Sequence, residues 1–156
     1  MVAAVAIRPM HQTDIPAVAR LLRDLAEKFI VHEFSDASRQ SFLSKNDQIA
    51  IEKFVADGFR YHIATIGNEL VGFVGIRDNR HLYHLFVAET FQHRGIGRKL
   101  WRVAHDECRS RGHVGPFTVN SSTHAVPVYE RFGFRRVRPT EDRDGVLFNP
   151  MKLSDA

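Results

Sequence analysis

The chain has 156 residues, 44% of them hydrophobic, which suits a single domain with a sizeable core. Its net charge of +4 comes from 22 basic and 18 acidic residues with no long basic tract, no recognition-helix signature and no aromatic stacking platform, so a nucleic-acid-binding role is set aside. No run of 18 apolar residues suggests a membrane span, no HExxH suggests metal catalysis, and the single Cys108 allows no internal disulfide, so a cytoplasmic protein without a metal is expected.

Met1 to Ile7 is apolar without a basic lead and is ended by Arg8-Pro9, the pattern of a first strand rather than a signal peptide. Thr13 reads as the N-cap of a first helix, with Asp14 in its first turn, Pro16 tolerated there, and Ile15, Val18, Leu22, Leu25 and Phe29 along one face. The stretch from Phe29 to Asn46 is irregular, and Ile49, Ile51, Phe54 and Val55 mark a second helix ending near Gly58. Residues 59–66 and 69–77 form a hairpin around Gly67-Asn68. Asp78-Asn79-Arg80 then turns into a buried strand, Leu82-Tyr83-His84-Leu85-Phe86-Val87. The next helix carries Ile96, Leu100, Val103 and Ala104 on its apolar side, with Cys108 read as packing there. A short strand over 117–120, a short helix over 125–132 closed by Gly133, and a strand pair at 134–138 and 145–153 complete the chain. The order β-α-α-β-β-β-α-β-α-β-β describes one mixed α/β domain over residues 1–156.

Gln92-His93-Arg94-Gly95-Ile96-Gly97 lies between the buried strand and the amphipathic helix. Glycines at a strand-to-helix turn leave backbone N–H groups unobstructed, and the helix start adds partial positive charge, so the turn suits a phosphate-bearing ligand. It is not a dinucleotide fingerprint, because Leu100 stands where the third glycine would be, and no Walker loop exists. Arg94, Arg98 and Lys99 are candidate anion ligands or a solvated helix face; Arg102, Arg109 and Arg111 are expected mainly in solvent.

The Q-x-x-G-x-G run resembles the coenzyme A pyrophosphate loop of the GCN5-related N-acetyltransferases (GNATs). The run from Ala125 to Phe134 resembles the same family's second signature, A-x-x-x-Y-x-x-x-G-F. The resemblance implies a single-domain acyl-CoA N-acyltransferase fold, with a mixed central sheet flanked by helices. It also implies direct transfer of an acetyl group from acetyl-CoA to a primary amine within a ternary complex. The pyrophosphate would sit on the loop opened by Gln92, at the amides of His93, Arg94, Gly95, Ile96, Gly97 and Arg98. The main chain of Leu85, Phe86 and Val87 would polarise the thioester and pair with the pantetheine arm.

Tyr129 occupies the place of the family's general acid, against the plainer reading of a core tyrosine. The family often places a Glu or His base on the strand ahead of the loop. This strand has no Glu, and His81 is the candidate, sharing a face with Tyr83 and Leu85 by alternation while His84 points away with Leu82 and Phe86. Ser122 replaces a common pantetheine-binding Asn; it or Asn120 could serve that arm, or both could be turn residues. The amine acceptor, a small molecule or a peptide, would lie between the segment from Phe29 to Phe42 and the final strand pair, where Glu33 could hold an ammonium group. A homodimer fits the family's habits, and a noncatalytic acyl-CoA-binding module is the alternative function.

Overall fold

The computed structural model describes residues 4–154. β1 (Val5–Pro9) pairs antiparallel with β2 (Arg60–Ile66) through Pro9↔His62. Arg8 and Pro9 therefore continue the first strand rather than end it, while the expected start at Met1 to Ala3 lies outside the described residues. β1 is an edge strand, where a proline without an N–H is tolerated.

Helix α1 (Ile15–Phe29) is preceded by a 3-10 turn, Gln12–Asp14, which contains Thr13. Asp14 rather than Thr13 secures this start. Its carboxylate accepts the His11 N–H at 2.7 Å and the Arg8 guanidinium at 2.8 and 3.0 Å. The Arg8 fork holds the Asp14 carboxyl below the usual range. The segment expected to be irregular contains a further helix, α2 (Asp36–Ser44), N-capped by Ser35 accepting the Ser38 N–H. α3 (Gln48–Ala56) is N-capped in the same manner by Asp47 on the Ala50 N–H at 2.9 Å.

β3 (Glu69–Arg77), β4 (His81–Val87), α4 (Ile96–Ser110), β5 (Phe117–Ser121), α5 (Val126–Arg131), β6 (Arg135–Arg136), β7 (Glu141–Arg143) and β8 (Val146–Leu153) follow. The sheet order is β1-β2-β3-β4-β5-β8-β6, with β7 paired to the first half of β8. Every pairing is antiparallel except β4–β5. One core lies under α4 and α5, with Leu82, Leu100, Trp101, Phe117 and Phe134; the other lies under α1 and α3, with Val18, Leu22, Ile51, Ile63 and Phe73. Cys108 is buried in the first core, and that burial pushes its thiol up to about 11, which leaves it inert.

Two irregularities shape the centre of the sheet. β4 and β5 pair only at His81↔Thr118 and Leu82↔Val119, after which no rung joins them. β4 also carries a bulge, because Gly75 faces His84 and Ile76 faces Leu82, leaving Tyr83 unmatched. Tyr83 and His84 consequently share the α1–α3 face, whereas Leu82 and Leu85 pack on the α4 face. Simple alternation fails here: His81 does not share a face with Leu85, nor His84 with Leu82.

Candidate active site

The parted strands open toward the start of α4. Beyond Leu82 the β5-facing main chain of β4 has no ladder partner, although its β3 side is paired through Leu85, Phe86 and Val87. Such polar groups need another partner or water. Gln92 takes one of them, since its Nε2 donates to the Val87 carbonyl at 3.0 Å. The Gln92 side chain thus braces the loop against β4 from within.

Gly95 is the N-cap of α4, in the left-handed region at φ 80°, and no side chain caps the helix. His93 also adopts positive φ, 63°. The first amides of a 15-residue helix are therefore left to an external acceptor. A Cβ at Gly95 would meet nothing within 4 Å, and one at Gly97 would make ordinary contacts with Val87 Cγ2 at 3.7 Å and Phe132 Cζ at 3.9 Å. What glycine preserves here is bare space above the turn rather than tight internal packing. That space and the uncapped amides fit a pyrophosphate.

The nearby cations divide by contact. Arg98 lies over the Phe132 ring at 5.2 Å and donates to the Arg131 carbonyl, reaching from α4 to the end of α5. Arg94 lies over Phe91 at 5.3 Å, while Lys99 and Arg102 are exposed. Arg109 is not a solvent residue as expected: it packs over Phe117 at 4.6 Å and donates to the His113 carbonyl. Arg111 is exposed and pairs with Glu107.

Tyr129 is 6% exposed on α5, its ring edge-on to Phe132 and Phe134. Its hydroxyl has no hydrogen-bond partner among the described residues. Burial raises the phenol pKa well above its ordinary value, and the group keeps its proton at any working pH.

At the end of β5, Ser122 Oγ accepts the Ala125 N–H at 3.3 Å, which is turn chemistry; its own hydroxyl proton is still available. Asn120 is exposed. Asn149 on β8 was not singled out from the sequence, yet it is 1% exposed and its Nδ2 donates to the Ser121 carbonyl at 3.1 Å and to Thr123 Oγ1 at 3.4 Å. Thr140 and Arg136 donate to its Oδ1. It fixes the loop that leads into α5. The only advance signal was an amide side chain in the middle of a mostly apolar final strand.

His81 sits at the closed end of the splay, 7% exposed, with Nδ1 2.7 Å from Thr118 Oγ1. Burial, with help from Arg77 and Arg80, pulls its pKa down to about 4, so the ring is neutral near pH 7. His84 is held in a directed chain. The Asn46 amide donates to the Phe42 carbonyl, so its Oδ1 faces His84 Nε2 at 2.9 Å and accepts the proton. His84 Nδ1 is then left to accept from the Tyr61 hydroxyl, also at 2.9 Å. The neutral ring joins α2 and α3 to the bulged strand.

Three features stand out: a bare helix start, a gap between parted strands, and an unpartnered Tyr129 phenol whose ring meets Phe132, the side chain that faces Gly97. A match to the acetyltransferase (GNAT) domain spans residues 30–154. The chain belongs to the GNAT acetyltransferase family. This GNAT chain is 38% identical over 53 residues to an acetyltransferase of Agrobacterium fabrum, a match covering 34% of the chain and 39% of that relative's length. Its fold is similar to a GCN5-related N-acetyltransferase of Rhodopseudomonas palustris, with a TM-score of 0.83, 20% identity, and coverage of 99% of this chain and 98% of that one. It is also similar to the PaiA N-acetyltransferase of Thermoplasma acidophilum in complex with coenzyme A, with a TM-score of 0.79, 18% identity, and coverage of 97% and 99%. Among the described residues of the GNAT chain, no helix is long and apolar enough to cross a membrane, and no group of three His, Cys, Asp or Glu side chains is placed to hold a metal.

Proposed function

We propose that the protein transfers an acetyl group from acetyl-CoA to a primary amine by direct attack within a ternary complex. The observation that carries this reading is the gap between β4 and β5 leading onto the uncapped start of α4. Acetyl-CoA supplies the activated acyl group. The amides from His93 to Arg98 hold its pyrophosphate, aided by the positive end of α4 and by Arg94, Arg98 and Lys99. The unladdered main chain of Leu85, Phe86 and Val87 faces the pantetheine arm and the thioester carbonyl. Asn120 and Ser122 offer polar groups from the opposite edge of the gap. That the Thermoplasma protein of like fold is in complex with coenzyme A supports an acyl-CoA as the ligand.

Tyr129 donates the proton that the departing thiolate needs; its phenol stays protonated and no described residue engages its hydroxyl, which suits it to that role. His81 is the proposed base, acting through water. Its lowered pKa makes it a weak one, so most of the acceptor's deprotonation falls to the equilibrium of the free amine. Calorimetry with acetyl-CoA, on the native chain and on a folded Gly97→Leu variant, tests the reading. Binding by the native chain alone supports it, and no binding by the native chain rejects it. Binding without thiol release for any amine would instead favour the noncatalytic module, to which the weak base lends some weight.

A further inference from the structure

We infer that His84 is a positioning residue for acetyl transfer: its doubly bonded ring fixes the bulge at Tyr83 and, through it, which main-chain groups of β4 line the gap. This deepens, and rests on, the acetyl-transfer reading above.

Two irregularities coincide in β4. The last rung to β5 is Leu82↔Val119, and the next residue, Tyr83, is the bulge against β3. Beyond it the ladder resumes one residue out of phase, with His84 on Gly75, Leu85 on Val74, Phe86 on Phe73 and Val87 on Gly72. The Ala88 N–H keeps the new phase by donating to the Val71 carbonyl at 2.8 Å. Without the bulge, every place past Leu82 would pass to the preceding residue. His84 would then stand opposite Val74, in the apolar core under α4, and Phe86 would take the place of Val87. Such a slip also turns each residue's N–H and C=O toward the other edge of its strand. The Val87 carbonyl would leave Gln92, and the groups of Leu85, Phe86 and Val87 would exchange edges. Phase therefore decides what β4 presents to the gap.

His84 ties that phase down. Tyr61, Gly75 and His84 form one row across β2, β3 and β4. Gly75 leaves the row open, since a Cβ there would lie 2.3 Å from Tyr61 Cε2 and 2.7 Å from its Cζ. The tyrosine ring thus lies across β3, and its hydroxyl meets His84 Nδ1 at 2.9 Å. From the helical side Asn46, itself 8% exposed, meets Nε2 at 2.9 Å. The imidazole is buried among Phe54, Phe73 and Phe86, with ring centroids 5.9 to 6.1 Å away. An apolar side chain would fill such a place in either phase. A ring with both nitrogens paired fits only one, because a slip would leave the Tyr61 hydroxyl and the Asn46 amide oxygen buried without partners. His84 acts through the strand, not on the reacting atoms.

The experiment measures kcat and KM by thiol release, and acetyl-CoA affinity by calorimetry, for the native chain, His84→Phe, His84→Gln and Tyr61→Phe. Lysine, spermidine, benzylamine and a lysine-containing peptide serve as amines, and rates are compared on the one that the native chain turns over best. His84→Phe keeps a ring but neither bond. It should lower kcat roughly tenfold by misplacing main-chain donors, with the acetyl-CoA dissociation constant within about threefold of native, because the start of α4 still holds the pyrophosphate. His84→Gln, which again offers a donor and an acceptor, should recover kcat to within about threefold of native. Tyr61→Phe removes one hydroxyl from β2 and should lower kcat about threefold. A native kcat in His84→Phe beside a lowered melting temperature overturns the inference and leaves His84 as a packing residue. No recovery by glutamine also counts against it. Should the phenylalanine variant fail to fold, Tyr61→Phe decides alone, and an unchanged kcat there overturns the inference. Release of no thiol by the native chain with any of these amines would instead reject the acetyl-transfer reading, and the inference with it.

Discussion

Phe134 donates its amide hydrogen to the carbonyl of Tyr129 at 3.0 Å and sets its ring edge-on against the phenol, with centroids 5.7 Å apart. Gly133, between them at φ 103°, donates to the Glu130 carbonyl. Together these are the paired bonds and the apolar contact of a Schellman helix stop. The spacing Tyr-x-x-x-Gly-Phe therefore has a mechanical meaning: the device that ends α5 also orients the tyrosine.

Tyr129→Phe removes only a hydroxyl that no described residue uses. The melting temperature and the acetyl-CoA dissociation constant should stay near native values. Turnover should fall by roughly 100-fold, the lower range for loss of a general acid. Steady-state rates on the best amine, beside a thermal melt, check this; unchanged kcat would leave Tyr129 as a core residue.

Gly133→Ala acts on the same tyrosine through the backbone. Its Cβ would meet Leu153 Cδ1 at 3.0 Å, and its φ lies where L-residues are strained. A loss of about 1–3 kcal/mol in urea unfolding is expected, accompanied by a lower kcat as α5 shifts.

Acid should weaken the fold through two histidines. Burial lowers His84 to about 3, and burial with nearby arginines lowers His81 to about 4, against 6.5 when unfolded. Below pH 6.5 the unfolded chain binds protons that the native chain refuses, so stability drops as pH falls toward 4. The slope should approach about 1.4 kcal/mol per pH unit for each of these histidines. Urea midpoints between pH 7 and pH 4, for native protein and His84→Phe, would show the difference in slope.

The same low value for His81 bears on catalysis. Its ring is already deprotonated well below pH 6, so kcat/KM should show no inflection near 6.5 and should climb with the free-base fraction of the amine up to that amine's pKa. A clear limb near 6.5 that vanishes in His81→Gln would mean the ring regains an ordinary pKa when substrates bind.

Asn149→Leu leaves the Ser121 carbonyl buried without its donor. A loss of about 1–3 kcal/mol is expected, with a raised KM for acetyl-CoA, because the loop from Ser121 to Ala125 borders the gap. Urea unfolding and acetyl-CoA titration measure the two effects.

Local chemistry made the glycine turn before α4 and the α5 stop legible in the sequence, since Gly95, Gly97 and Gly133 act on their own neighbourhoods. The hairpin at Gly67-Asn68 is of the same kind, and so is the chain order of most of the strands. Features set by distant partners were hidden. The bulge at Tyr83 breaks an alternation that looks regular in one dimension, and it comes from the register against β3. Helix α2 has few apolar residues and stands because Ser35 caps it and Ser38 meets Asp144, 106 positions away. Thr13 looked the better cap because nothing local shows Arg8 reaching Asp14. Arg109 looked solvated because its cover, Phe117, lies on another element.

The two rungs between β4 and β5 have a mechanical consequence. On one side β1 to β4 form an antiparallel set, and on the other β5, β8, β6 and β7 form another. The seam between these half-sheets is a two-rung junction in the backbone ladder, crossed by side-chain contacts such as Trp101 of α4 on Phe117 of β5. Slow opening should concentrate there. Amides of residues 85–87 that face the seam should exchange with solvent faster than those of β3, which is hydrogen-bonded on both edges. The same two-rung line is where the halves can part without breaking the ladder of either one.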